Sequence, residues 1–102
     1  MKVPRDRLTP NLDHKVVALG QRLALARRRR RITAETAAAR SRCSRSTISR
    51  LENGDSRVSF NVVVRLLSIY GLLDDLDVVA KDDELGRKLQ DAKLMQRRRR
   101  PG

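Results

Sequence analysis

Apolar residues recur at intervals of three and four along most of the chain, and nowhere do they alternate. Val16, Leu19, Leu23 and Ala26 form one row, and Ile48 with Leu51 a second. Val62, Val63, Leu66, Leu67 and Tyr70 form a third. A 3.6-residue period puts each row on one side of a helix. With no alternating stretch and no internal repeat, the predicted fold class is all-α.

Punctuation between the rows divides the chain into short elements. Residues 1–12, with Pro4 and Pro10, read as a flexible arm. A first helix is expected from about Asp13 to Arg30. Thr33 offers an N-cap oxygen, and Glu35 suits the positive end of a second helix. Ala37, Ala38 and Ala39 favour that helix, which should end near Arg42. Ser44 or Ser46 caps a third helix that turns Ile48 and Leu51 inward, and Asn53-Gly54 supplies its left-handed stop. Ser59 opens a fourth helix and Gly71 closes it. The acidic residues Asp74, Asp75 and Asp77 open a fifth with Leu76 and Val79. Asp82, Asp83 and Glu84 precede a sixth, whose Leu85, Leu89 and Ala92 make a thin stripe. The expected division is an arm over 1–12, a main domain over 13–73, a C-terminal helical segment over 74–96 and a basic flexible tail over 97–102.

Charge narrows the partner. The 102 residues carry 24 Lys and Arg against 12 Asp and Glu, a formal net charge of +12. Met1 to Arg57 hold 15 basic and 5 acidic residues, whereas Val58 to Gly102 hold 9 and 7. A basic first half joined to a near-neutral second half implies two surfaces with two tasks, one of them meeting a polyanion. A single Cys forms no internal disulfide and no Cys-ligated zinc module, and it suits a reducing cytosol. No apolar run is long enough for a bilayer, and no secretory leader is recognisable, so a cytoplasmic protein is expected.

Two short helices joined by a few residues, the second polar and basic, form the helix-turn-helix pattern. The stretch Thr33-Ala-Glu-Thr-Ala-Ala-Ala-Arg-Ser-Arg-Cys-Ser-Arg-Ser-Thr-Ile-Ser-Arg-Leu-Glu-Asn-Gly54 resembles that element in the Cro/C1-type (XRE) repressors. Its most specific part is Ser44 to Gly54, and Leu19-Gly20-Gln21-Arg22-Leu23 with Leu25-Ala26-Arg27 is similar to the family's first helix. The likeness covers roughly Val17 to Asp74. It implies a five- to six-helix bundle of lambda-repressor-like type that binds operator DNA as a homodimer. The tail from Asp82 to Leu94 resembles those of HipB-like antitoxins, which implies a HipA-type kinase toxin as partner. A free-standing Cro/C1-type regulator without a toxin is the alternative, and a downstream kinase-like reading frame would separate the two.

A helix in the major groove presents its first turn to base edges. That places Ser44, Arg45, Ser46 and Thr47 at the DNA, with Arg50 a turn further on and Ser49 and Asn53 completing the candidate set. Arginine pairs bidentately with guanine O6 and N7, worth about 1–3 kcal/mol of discrimination. In the repressors this chain resembles, the glutamate before Asn-Gly pairs with a first-helix arginine. Here those residues are Glu52 and, by spacing, Arg27. Two positions depart from the family pattern: Arg42 stands where the turn commonly has glycine, and Ala34 where a Gln usually faces the DNA backbone.

The remaining features receive plainer readings. Arg27 to Arg31 form either a solvated helix end or a further DNA contact. Arg97 to Arg100 follow a minor groove, a phosphate or an acidic partner. Cys43 belongs to the core, and His14 is a surface histidine with no metal-ligand partner beside it. One His and one Cys far apart in sequence, scattered glycines and acidic clusters at helix starts offer no catalytic arrangement. The chain is expected to be no enzyme and to use no cofactor and no metal. An RNA-binding role is disfavoured, because stacking aromatics are confined to Phe60 and Tyr70. Leu72, Leu73, Leu76 and Val79 are the expected dimer seam.

Overall fold

The computed structural model describes residues 7–99. They form five α-helices and one 3-10 segment: α1 (Pro10–Arg29), α2 (Ala34–Ser41), α3 (Arg45–Glu52), α4 (Phe60–Ile69), the 3-10 segment Leu73–Val78, and α5 (Glu84–Arg99). No strand occurs among the described residues.

α1 begins three residues before the expected start. Pro10 occupies its first turn, where a missing N–H costs nothing and a fixed φ is already helical; Thr9 stands extended before it. The arm therefore ends at Thr9, and its residues 1–6 lie outside the described residues. Thr33 caps α2 by accepting the Thr36 N–H at 3.1 Å. Ser44, rather than Ser46, caps α3 by accepting the Thr47 N–H at 3.1 Å. Ser59 caps α4 through the Asn61 N–H.

The first four helices end in one shared motif. The residue closing each motif has positive φ: Arg31 at 52°, Arg42 at 56°, Gly54 at 87° and Gly71 at 71°. Its N–H donates to the carbonyl three residues back, and the next N–H reaches five residues back. At α2 these bonds run from Arg42 to Ala39 and from Cys43 to Ala38, at 3.3 and 3.0 Å. This double closure satisfies carbonyls that the helix leaves open. Glycine enters the left-handed region freely, whereas a side chain costs about 1–2 kcal/mol there. Arg31 and Arg42 occupy it nonetheless, as cations at the negative end of a helix dipole.

The core is aliphatic. Leu23 and Ala26 of α1, Ala37 and Ala38 of α2, Ile48 and Leu51 of α3, and Val62, Leu66 and Leu67 of α4 are buried, together with Tyr70. Gly20 lets α1 lie directly on the end of α3: a Cβ there would stand 2.5 Å from the Leu51 carbonyl oxygen. Cys43 packs part-buried against the core, and the buried Ser41 hydroxyl donates to the Ala37 carbonyl at 2.7 Å.

The C-terminal third departs most from expectation. The fifth element is a 3-10 segment rather than an α-helix. Leu72 and Leu76 pack part-buried on the domain's own core, so half of the expected dimer seam is used within the chain itself. Leu73 and Val79 remain exposed, as does Val78. Ala80, at φ 61°, then turns the chain towards α5. α5 runs to Arg99, so residues 97–99 continue a helix where a flexible tail was expected. Residues 100–102 lie outside the described residues. Leu85 and Leu89, the proposed stripe, are 68% and 58% exposed. Packing within the chain thus leaves α5 uncovered.

Candidate nucleic-acid interface

α3 is short, and its two faces differ sharply. Ile48 and Leu51 are 0% and 4% exposed and anchor it to the core. Ser44, Arg45, Ser46, Ser49, Arg50 and Asn53 are exposed, and Thr47 is half-buried. The seven residues assigned to DNA from sequence therefore fall on or beside one outward face. Not all are equally available. The Ser44 and Thr47 hydroxyls bond to each other at 2.9 Å, besides the cap that Ser44 makes. The Asn53 amide donates to the Ser49 carbonyl at 2.8 Å, closing the helix end.

Both arginines of this face have carboxylate partners. Arg45 Nε lies 2.6 Å from Glu35 Oε1, joining the first turn of α3 to the first turn of α2. Arg50 Nε donates to Asp55 Oδ2 at 2.9 Å. Asp55 also accepts the Arg57 backbone N–H at 2.9 Å and the Arg57 Nε–H at 3.1 Å. Bonds from Arg57, reinforced by Arg50, hold the Asp55 carboxyl far below the usual carboxylate range. Glu35 is held low chiefly by its own backbone N–H at the open end of α2, with burial opposing and Arg45 assisting. Neither carboxylate was part of the sequence-based site. The sequence places Glu35 at the positive end of a helix dipole and gives no sign of Arg45 beside it. The Asp55-Ser-Arg57 spacing, typical of a side chain that folds back on the backbone two residues on, was the available signal for Asp55.

Arg27 and Glu52 fix the face from behind. Arg27 donates from Nε and Nη2 to the two Glu52 oxygens at 2.8 and 3.0 Å. Both side chains are nearly buried, and the bond to Glu52 holds the Arg27 guanidinium still more firmly protonated. Glu52 thus lies off the outward face, where it would repel phosphate.

Grooves flank α3 on both sides. One lies towards α1 and α2 and is lined by Gln21, Arg28 and Arg45. The other lies towards the segment before α1 and the loop after α3, and is lined by Arg7, His14, Arg50 and Arg57. Arg28 belongs to the run Arg27 to Arg31 that the sequence offers as a further DNA contact, whereas Gln21, Arg7 and Arg57 carry no such expectation. Their proximity to α3 depends on how the helices cross. His14 is exposed, and among the described residues no group of three or more His, Cys, Asp or Glu could hold a metal ion. No described helix is long and apolar enough to cross a membrane.

An exposed helix face bearing Arg45 and Arg50, between two grooves that carry Arg7, Arg28 and Arg57 alongside the carboxylates Asp13, Glu52 and Asp55, suits the major groove and its bordering phosphate strands. Residues 18–78 match the family model described as a helix-turn-helix domain. No curated protein and no solved structure gives a significant match.

Proposed function

Given that the chain belongs to the helix-turn-helix domain family and is a DNA-binding transcription regulator, we propose that it is a sequence-specific repressor of its own operon and the antitoxin of a HipA-type kinase toxin. Division of the molecule carries this reading: a basic α3 face at one place, and an amphipathic helix left uncovered at another. α3 reads bases through Arg45, Ser46, Ser49 and Arg50, while cations in the flanking grooves hold phosphates. One α3 contacts few bases, so two copies bind half-sites about one helical turn apart. Leu73, Val78 and Val79 are the apolar residues open to the second copy. α5 presents Leu85, Leu89 and Met95 to the toxin. The protein works in the cytoplasm by binding alone, without catalysis, cofactor or metal.

The test is co-purification from the native host, with identification of bound protein and DNA. Recovery of a kinase-like partner and a fragment upstream of the protein's own gene is expected. Recovery of the DNA without any partner in stoichiometric amount would leave a free-standing regulator. Affinity for the recovered DNA should fall steeply and log-linearly with salt, as several phosphates are neutralised per subunit.

A further inference from the structure

At about 100° per residue, Arg45 and Arg50 bound an arc of roughly 140° on α3, with Ser49 and Ser46 between them. Each stands at an edge of the outward face, and each meets a carboxylate from outside the helix at the same atom. Glu35 of α2 reaches Arg45 at Nε, and Asp55 of the following loop accepts from Arg50 at Nε. Among the described residues no hydrogen bond engages the terminal amino groups of either guanidinium. The edge left open is the one that pairs end-on with guanine O6 and N7.

Carboxylates at a phosphate-facing surface lower affinity for every DNA sequence alike. Their position offers something in return. An arginine side chain is long and rotamer-rich, and freezing it against a base edge opposes binding. A partner at Nε restricts the side chain beforehand and leaves its reading edge free. In water such exposed pairs hold only weakly. Once DNA covers the face and the local dielectric falls, the same contact strengthens.

We infer that Glu35 and Asp55 are positioning residues of the DNA interface, each aiming one arginine of α3 at a guanine, so that sequence preference depends on two carboxylates that touch no base. This rests on the reading of α3 as the base-reading helix. It assigns two guanines per half-site, one to the Glu35–Arg45 pair and one to the Asp55–Arg50 pair.

The full chain is used to select from a duplex library with a randomised core, and the enriched sequence and a scrambled duplex then serve as probes. Wild type should enrich a motif holding two guanines in each half-site. Glu35→Ala should lose about tenfold in affinity for the enriched duplex while binding the scrambled one somewhat more tightly, with preference weakened at one guanine only. Glu35→Gln keeps an acceptor oxygen and should retain that guanine preference, although its scrambled binding also rises. Asp55→Ala and Asp55→Asn should show the same contrast at the other guanine. Thermal melts exclude unfolding as the cause. Enrichment of the same motif with the same weights by Glu35→Ala overturns the inference and leaves the reading of α3 intact. So does tighter binding of both duplexes by that variant, since the carboxylate would then be masking Arg45. Failure of wild type to enrich any motif overturns the reading of α3 itself.

Discussion

The Arg27 guanidinium ties three elements together through one side chain. Nε and Nη2 donate to the two oxygens of Glu52 on α3, while Nη1 donates to the Ile32 carbonyl just before α2, at 3.0 Å. α1 thereby holds both α3 and the segment that leads into α2. The contact is nearly buried, so water competes little for it.

Arg27→Ala should leave the Glu52 carboxylate without a partner in a nearly buried position. Removing one member of such a pair typically costs about 3–5 kcal/mol. The melting temperature should fall sharply, and binding to enriched and scrambled duplexes should weaken alike, because the geometry of the whole face is loosened. Melts and gel shifts on both duplexes check this. Arg45→Ala should differ: Arg45 packs nothing in the core, so the melt should change little while discrimination at one guanine falls by about 1–3 kcal/mol.

Arg42→Gly should stabilise the protein. The left-handed conformation at φ 56° costs a side chain about 1–2 kcal/mol, and the extra chain entropy of glycine returns about 0.5–1 of that. A net gain of about 0.5–1 kcal/mol corresponds to a rise of several degrees in melting temperature for a domain of this size. Arg31→Gly, at φ 52°, should act in the same direction. Thermal melts at fixed protein concentration read both.

Gly20→Ala should destabilise, although alanine in a helix interior normally gains about 0.5–1 kcal/mol over glycine. The new Cβ would meet the Leu51 carbonyl oxygen at 2.5 Å and the Glu52 carbonyl oxygen at 3.0 Å. Backbone atoms cannot swing aside, so α1 and α3 must separate. Overpacking of this kind costs about 1–3 kcal/mol, which exceeds the propensity gain. A lowered denaturation midpoint is expected.

Tyr70→Phe should hold or raise stability. Tyr70 is 2% exposed, and its hydroxyl is buried with no hydrogen-bond partner. An unsatisfied buried polar group costs about 1–3 kcal/mol. Phe keeps the ring that lies beneath Arg30 at 5.9 Å. Burial also pushes the Tyr70 phenol above its ordinary range, so its absorbance should titrate later than that of a free tyrosine. Denaturant curves of the variant and an alkaline titration of wild type test both statements.

Acid should remove the contribution of Asp55. Its folded carboxyl titrates far below the unfolded value of about 3.9, because Arg57 and Arg50 favour the charged form. Stability from this group is therefore complete well above pH 4 and is lost as pH falls towards the folded value. The difference in melting temperature between wild type and Asp55→Asn should be largest near neutrality and shrink below about pH 4.

Features decided within a few residues were legible in the sequence. Thr33, Ser44 and Ser59 cap helices because a hydroxyl reaches an N–H two or three positions on, whatever the rest of the chain does. Gly54 and Gly71 close α3 and α4 because, lacking a Cβ, they enter positive φ without steric cost. Burial of Ile48 and Leu51 follows from helical spacing, which also leaves Arg45, Ser49 and Arg50 outside. Other features depended on how elements cross. Nothing local shows that Gly20 lies on the Leu51 carbonyl, or that Leu72 and Leu76 pack against the chain's own core. Of the apolar residues after Gly71 only Leu72 and Leu76 pack on the core, and a 3-10 segment forms where the acidic residues with Leu76 and Val79 suggested a helix. Arg45 and Arg50 read alike in sequence as free cations. Only the packing of α2 and of the Asp55 loop beside α3 brings a carboxylate to each, because side-chain pairs between elements form at distances set by the core and not by the number of residues between them.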